Sequence, residues 1–235
     1  MGKRLISQRR GRGTGPYKSP GHRFKGKIAL PKAIETNGEV LDIIHCAGHS
    51  APLISVIYDN DEKTLTPAPQ GIKVGDKIEV GKTKDIKAGN ILELKDIPEG
   101  TSVYNLELKP GDGGKFCRAS GTFAKVVAKT SKQITIKLPS KKEKHFLPAC
   151  RAVIGTVAGS GRTEKPFLKA GTRMFAKRAR NKLYPRVCGI SMNAVDHPFG
   201  GTGSHHKGRP DQSSRHDPPG RKAGKIAPSR TGKKR

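Results

Sequence analysis

The apolar residues of this 235-residue chain are confined to its middle, between two arms that carry almost no acid. Residues 1–33 hold ten Lys or Arg and no Asp or Glu, and residues 181–235 hold twelve against three. Both arms are rich in Gly, Pro, Ser and His and show no apolar period. Neither can bury enough surface to offset its own conformational entropy, so both are expected to be disordered when the protein is alone. A folded core has to come from 34–90, with six basic and nine acidic side chains, and from 91–180, with nineteen and seven.

That middle contains β-branched and apolar runs punctuated by Gly, Pro, Asn and Asp, the pattern of short strands. Residues 40–44, 53–58 and 77–80 read as strands of a first module, with turns at APQG and Gly75-Asp76. In 103–108 the alternation puts Tyr104, Leu106 and Leu108 on one face, and in 133–138 it does the same for Ile134, Ile136 and Leu138. Residues 123–128 and 152–157 are more continuously apolar. Strand spacing with turn signals between favours small β-barrels over βαβ units. One helix is expected, over 167–181, with Leu168, Met174, Phe175 and Ala179 on one side and Lys169, Arg173, Lys177, Arg178 and Arg180 around the rest. The organisation predicted is a basic N-terminal extension (1–33), a first barrel (34–90), a second barrel with a short basic helix (91–180) and a basic Gly/Pro-rich extension (181–235).

Across the chain 47 Lys and Arg oppose 19 Asp and Glu, a net charge of +28. Self-repulsion of that size calls for an anionic partner, and nucleic acid has the matching charge density. Solubility alone would be served by roughly a third of this charge. With 5% aromatic residues and no Trp, the chain is poor in the stacking platforms that hold single strands at about 1–3 kcal/mol per base. Backbone and shape contact with folded RNA fits better, and no helix-turn-helix, finger or basic zipper points to DNA. No run has the length of a membrane span, MGKRLISQRRG lacks the apolar run of a secretory signal, and Ile6 occupies the place where a myristoylation signal needs Ser or Thr. The protein is therefore expected to be intracellular. The isolated cysteines, Cys46, Cys117, Cys150 and Cys188, fit reduced thiols.

Patterns that could carry catalysis or bind small ligands are weak. VIGTVAGSGRT (153–163) and KPGDGGKF (109–116) look like phosphate loops, but Arg162 and Phe116 stand where Lys and a magnesium-holding hydroxyl are needed. Both read as tight turns, the second with backbone amides available to RNA phosphate. Cys46 and His49, with His45 beside them, have metal-ligand spacing without a second ligand pair. A loop beside a strand, with the histidines facing RNA or solvent, is the expected reading. His205 and His206 read as part of a flexible arm. Ser191, Asp196 and His197 are close in sequence, but a Gly/Pro-rich tail offers no packed pocket for a nucleophilic triad.

The stretches YPRVCGISMNAVDHPFGG (184–201), VYNLELKPGDGGKFCRASGT (103–122) and CRAVIGTVAG (150–159) resemble the universal large-subunit ribosomal protein L2 (uL2) family. APLISVIYDN and PPGRKAGKIA fit as well, in the same order, over nearly the whole chain. The resemblance implies an all-β fold, an OB-type barrel followed by an SH3-like barrel, with extensions buried in rRNA. It also implies a primary rRNA-binding protein near the peptidyl transferase centre that supports subunit association, tRNA binding and peptide-bond formation. The implied partners are large-subunit rRNA, neighbouring ribosomal proteins, small-subunit rRNA at the intersubunit bridge and, indirectly, tRNA. A cytoplasmic location follows, with no cofactor beyond Mg²⁺ carried by the bound rRNA. His197 matches the family's much-discussed histidine, for which the resemblance implies an ordering or RNA-contact role. Phe199 stands where bacterial members have a second histidine, a form that looks archaeal or eukaryotic. The acidic first barrel and short length favour the archaeal one.

The residues expected to meet RNA are Arg9, Arg10, Arg12 and Arg23 in the first arm, Lys115, Arg118, Lys177, Arg178 and Arg180 around the second barrel, and His197, Arg209, Arg221 and Lys222 in the tail. No residue is expected to be catalytic or to hold a metal. The alternatives are a direct part for His197 in peptidyl transfer and a non-ribosomal RNA chaperone. The first barrel, net −3, is expected to face solvent.

Overall fold

The computed structural model describes residues 2–81, 85–201 and 207–230. The chain divides into two compact units, Gly21–Leu168 and Met1–Pro20 with Lys169–Arg235. No helix among the described residues is long and apolar enough to cross a membrane.

The unit Gly21–Leu168 is all-β. Its strands are β1 (Thr36–Ile44), β2 (Leu53–Tyr58), β3 (Lys63–Pro67), β4 (Lys77–Val80), β5 (Ile91–Glu93), β6 (Ser102–Tyr104), β7 (Ala124–Lys129), β8 (Ile134–Lys137), β9 (Glu143–Phe146) and β10 (Arg151–Ile154). They form one continuous sheet in the order β3-β2-β1-β4-β5-β10-β6-β7-β8-β9. Past the end of β3, Ala68 and Gln70 bond to the chain beyond β10 (Gln70 N–H to Thr156 O 2.9 Å, Ala158 N–H to Ala68 O 2.9 Å), which closes the first barrel. Bulges at Val40/Asp42 and Val126/Ala128 bend the β1–β2 and β7–β8 hairpins.

Two cores lie on opposite faces of the shared strands. Val40, Ile54, Val56, Tyr58, Ile78, Ile91, Tyr104 and Val153 pack together in one, and Leu92, Leu94, Val103, Leu106, Val126, Ile134, Ile136, Phe146, Ala152 and Ile154 in the other. Adjacent residues of β5, β6 and β10 therefore enter different cores, since side chains alternate across a strand. This is why 152–157 reads as continuously apolar: both faces of β10 are covered. The 103–108 expectation fails for a local reason. Asn105 adopts φ 47°, which ends β6 and breaks the alternation, so Tyr104 and Leu106 serve different cores and Leu108 is exposed.

Residues 21–33 behave as part of this unit. Ile28 bridges Leu65 beside β3, Ala29 N–H bonds Leu65 O at 3.1 Å, and Ile28 packs with Cys46, Leu53 and Phe24 in a third small cluster. A few apolar residues in a basic segment suffice, because the edge of β3 supplies the backbone partners. The lightly patterned strands β3, β5 and β9 lie outside the sequence expectation.

The second unit contains α1 (Ile6–Gly11), α2 (Ala170–Arg178) and a parallel pair, β11 (Gln212–Ser213) with β12 (Lys225–Ile226). The helix expected over 167–181 is thus shorter at both ends and groups with the arms. Polar contacts lace residues 1–20 to the tail. Lys3 N–H donates to Val195 O (2.7 Å), Arg10 Nη2 to Asn181 O (2.9 Å), and Asn181 Nδ2 to Pro16 O (2.7 Å) and Lys18 O (2.6 Å). The two arms form one unit held by hydrogen bonds, in which Leu5 and Ala223 are the buried apolar side chains among the described residues.

Candidate nucleic-acid interface

The cations foreseen from sequence divide between the units. Arg23, Lys115 and Arg118 lie in Gly21–Leu168; Arg9, Arg10, Arg12, Lys177, Arg178, Arg180, His197, Arg209, Arg221 and Lys222 lie in the unit built from both arms. Arg9, Arg12, Arg23, Lys115, Arg178, Arg209 and Arg221 are exposed, and the others half-buried. Arg10 has a structural share, with its guanidinium 5.7 Å from the Tyr17 ring and bonded to Asn181 O.

Helix α2 buries none of its residues. Phe175 is 64% exposed and Leu168, just before it, 91%. Nine residues are too few for a helix to be stable from local forces alone. Lys177 and Arg178 fill its last turn, where cations complement the helix dipole, and the first turn has no acid.

On the second barrel, Lys125, Lys137 and Glu143 stand opposite one another across β7, β8 and β9. Like charges facing each other across a strand pair repel, and both lysines are exposed. Lys144 lies 4.7 Å over the Phe116 ring, and Arg162 donates to Ser120 Oγ at 3.0 Å. Sequence reasoning passed over these side chains. The period-two alternation of β7 and β8 was the available signal, since it puts Lys125 and Lys137 opposite the core.

The turn after β6 corrects one expectation. Its amides are already engaged: Gly111 and Gly113 donate to the Glu107 carboxylate at 3.2 and 3.3 Å, Gly114 to Asp112 Oδ1 at 3.0 Å, and Lys115 to Leu106 O at 2.7 Å. They are not available to phosphate; the turn instead offers the exposed Lys115 side chain. Arg151, which is not among the cations expected to meet RNA, has an internal role. It is buried, pairs with Glu107 (Nη2–Oε1 3.0 Å) and donates to Pro31 O (2.8 Å) and Ala33 O (3.2 Å). A carboxylate surrounded by donors answers the buried guanidinium and ties three distant segments together.

The loop around His197 is built to close tolerance. Its turns use Asp196 N–H to Asn193 O (2.9 Å) and Gly200 N–H to His197 O (2.9 Å). A side chain at Gly200 would overlap the Met192 and Asn193 carbonyls, and one at Gly189 would overlap the imidazole ring itself. Phe199 N–H donates to His197 Nδ1 at 3.1 Å, and the two rings lie 5.1 Å apart. Partial burial pushes the imidazole below its usual 6.5. Asp196 pairs with Lys3 at 3.4 Å, so it does not orient His197, and Ser191, Asp196 and His197 form no triad.

Cys46 is buried in the small cluster, with its Sγ 3.2 Å from His49 Nδ1 and 3.4 Å from Lys25 N. Among the described residues no three His, Cys, Asp or Glu side chains gather as a metal site. His205 and His206 lie outside the described residues.

The family model described as Ribosomal Proteins L2, C-terminal domain, matches residues 87–219. Curated proteins called large ribosomal subunit protein uL2 are similar over the full length. The one from Methanothermobacter thermautotrophicus is 50% identical and that from Methanosphaera stadtmanae 52%, each covering 100% of both chains. That from Natronomonas pharaonis is 48% identical over 99% of this chain and 97% of its own.

Proposed function

Since the chain belongs to the uL2 family of ribosomal proteins, in its archaeal form, we propose that it is a primary rRNA-binding protein of the large ribosomal subunit, seated near the peptidyl transferase centre. It is a structural ribosomal protein and not an enzyme. The observation that carries the finer reading is the unit made of both arms. Leu5 and Ala223 are the only apolar side chains fully buried among its described residues, and it displays an uncovered basic helix and exposed arginines. Such a unit gains stability where phosphates neutralise it and RNA covers α2.

In this reading Arg9, Arg12, Arg178, Arg209 and Arg221 neutralise phosphates and displace counterions, with Arg23, Lys115 and Arg118 doing so from the barrels. The barrels act as a rigid seat that sets where the arms enter. Mg²⁺ is carried by the bound rRNA. Neighbouring ribosomal proteins, small-subunit rRNA at the intersubunit bridge and, indirectly, tRNA complete the surroundings, with the acidic first barrel toward solvent in the cytoplasm. The role in subunit association, tRNA binding and peptide-bond formation is one of positioning RNA. The engaged Nδ1 of His197 supports that over proton abstraction.

The test is filter binding of the full chain to in-vitro-transcribed archaeal large-subunit rRNA across a salt series. With six or more phosphate contacts, affinity falls on the order of 1,000-fold or more between 50 and 200 mM salt. Salt-insensitive binding overturns the proposal. Loss of the protein from large subunits in a high-salt wash, with free RNA binding retained, favours a non-ribosomal chaperone.

A further inference from the structure

Asn181 stands where α2 ends and serves two parts of the chain at once. At φ 49° it turns the backbone left-handed; its N–H donates to Arg178 O (3.0 Å), and the N–H of Lys182 reaches back to Lys177 O (2.9 Å). This is the closing turn that covers the last carbonyls of a helix, and its left-handed position suits Gly or Asn. The Asn181 side chain, meanwhile, points to the first arm, 163 and 165 residues away in sequence. Nδ2 donates to Pro16 O at 2.7 Å and to Lys18 O at 2.6 Å, which engages both amide hydrogens. Carbonyls only accept, so the nitrogen end of the amide has to face them. The main-chain oxygen of Asn181 accepts Arg10 Nη2 at 2.9 Å, and the same guanidinium lies 5.7 Å from the centre of the Tyr17 ring. Helix α1, the turn at Gly15–Tyr17 and the end of α2 thus meet at one residue. Leu5 is the one apolar side chain buried among residues 2–20, so no core holds 10–18 in place. A second tie to the tail, Lys3 on Val195 and Asp196, lies at the far end of the arm.

We propose that Asn181 is the clasp that fixes the first arm on the tail before RNA arrives, so that the cations of both arms meet RNA as one preorganised surface. The idea rests on the rRNA-binding reading above and adds the residue that joins the arms. Asn181 is a positioning residue: it is neutral, and it acts through the segment that carries Arg10, Arg12 and Lys18. An arm already ordered in the free protein loses less conformational freedom on binding. The clasp needs the amide, whereas the helix end needs only the left-handed backbone. Glycine supplies the second without the first.

Asn181→Gly in the full chain therefore separates the clasp from the helix end. The heteronuclear ¹⁵N NOE reads fast backbone motion at Tyr17, Lys18 and Lys182. Tyr17 and Lys18 are expected to fall to the values of flexible chain, while Lys182 stays rigid. Binding to in-vitro-transcribed archaeal large-subunit rRNA is expected to weaken about tenfold, the size of the two lost hydrogen bonds. No charge is removed, so the slope of log affinity against log salt is expected to match the parent. An arm that stays ordered, a Lys182 that loosens with it, or a freed arm with unchanged affinity overturns the inference, with rRNA binding itself intact. A shallower salt slope overturns it too, because phosphate contacts, and not prior order, would then be what the variant lacks. Failure of the parent chain to bind overturns the rRNA-binding reading instead.

Discussion

Replacing Glu107 by Gln removes one charge from a site whose geometry leaves no benign way to lose it. Oε1 accepts Arg151 Nη2 at 3.0 Å and Gly113 N–H at 3.3 Å; Oε2 accepts Arg151 N–H at 2.9 Å and Gly111 N–H at 3.2 Å. Whichever oxygen becomes an NH₂ group meets at least two donors, and the Arg151 guanidinium, which now reaches both oxygens, keeps at most one bond to this side chain beside those to the Pro31 and Ala33 carbonyls, with no anion against its charge. Removing one partner of a buried ion pair costs about 3–5 kcal/mol, a large part of the roughly 5–15 kcal/mol that holds a domain folded. Urea unfolding of the full chain, followed by far-UV circular dichroism, should show the midpoint of the β unit falling by about 2 M for a slope near 2 kcal/mol/M. Amide exchange at Gly111 and Gly113 should accelerate in the same variant. Adding Arg151→Met removes the stranded cation, so the double variant should be more stable than the two single losses predict by at least about 1 kcal/mol. A single-variant loss below about 1 kcal/mol, or strict additivity in the cycle, would refute the assignment of this pair as the clamp on the turn and on residues 31–33.

Thiol chemistry should separate the four cysteines. Cys188 is exposed, Cys46 and Cys150 are buried, and burial pushes the Cys117 thiol up to about 11, so Ellman's reagent at pH 8 should find one fast thiol and three that wait for denaturant. Burial also pushes Tyr58 from 10.0 up to about 12, partly offset by its hydrogen bond with Thr64. The folded state then holds that proton more tightly than the unfolded one, so its contribution is complete below pH 10.0 and is lost as pH rises through about 12. Thermal melts from pH 9 to 12 should decline less steeply in Tyr58→Phe, with the buried Tyr104 supplying the remaining slope; an unchanged slope would contradict this. The sign is opposite for His197. Burial lowers it below 6.5, so its contribution is present above pH 6.5 and is lost as pH falls through the folded value. The protection of the Gly200 amide, taken relative to the intrinsic base-catalysed exchange rate at each pH, should therefore fall on acidification in the parent and not in His197→Gln.

The strands most legible in the sequence are those with one dense apolar face and a clear turn on each side, such as 53–58 and 77–80, whose limits coincide with β2 and β4. Strands β3 and β9 were hidden because KTLTP and EKHF carry little apolar pattern: the buried positions of β3 are Thr64, Thr66 and Pro67, and in β9 only Phe146 is buried. The candidate site was legible as charge and as a histidine motif, while the partners of each side chain were not. Arg151 and Arg178 look alike in a charge count, yet one is buried on Glu107 and the other lies on an uncovered helix.

By itself the sequence determined where a core could form, that its strands would be short, that its charge would call for a polyanionic partner, and which family its long motifs resemble. All of these depend on composition, local period or linear order. Only the tertiary structure decided that the two barrels share one sheet, that the two arms join as one unit, that the glycine-rich turn spends its amides on Glu107, Asp112 and Leu106, and that His197 Nδ1 faces the Phe199 amide. Each of those depends on pairing residues far apart in the chain or on the direction of a single hydrogen bond, and neither leaves a mark on local sequence pattern.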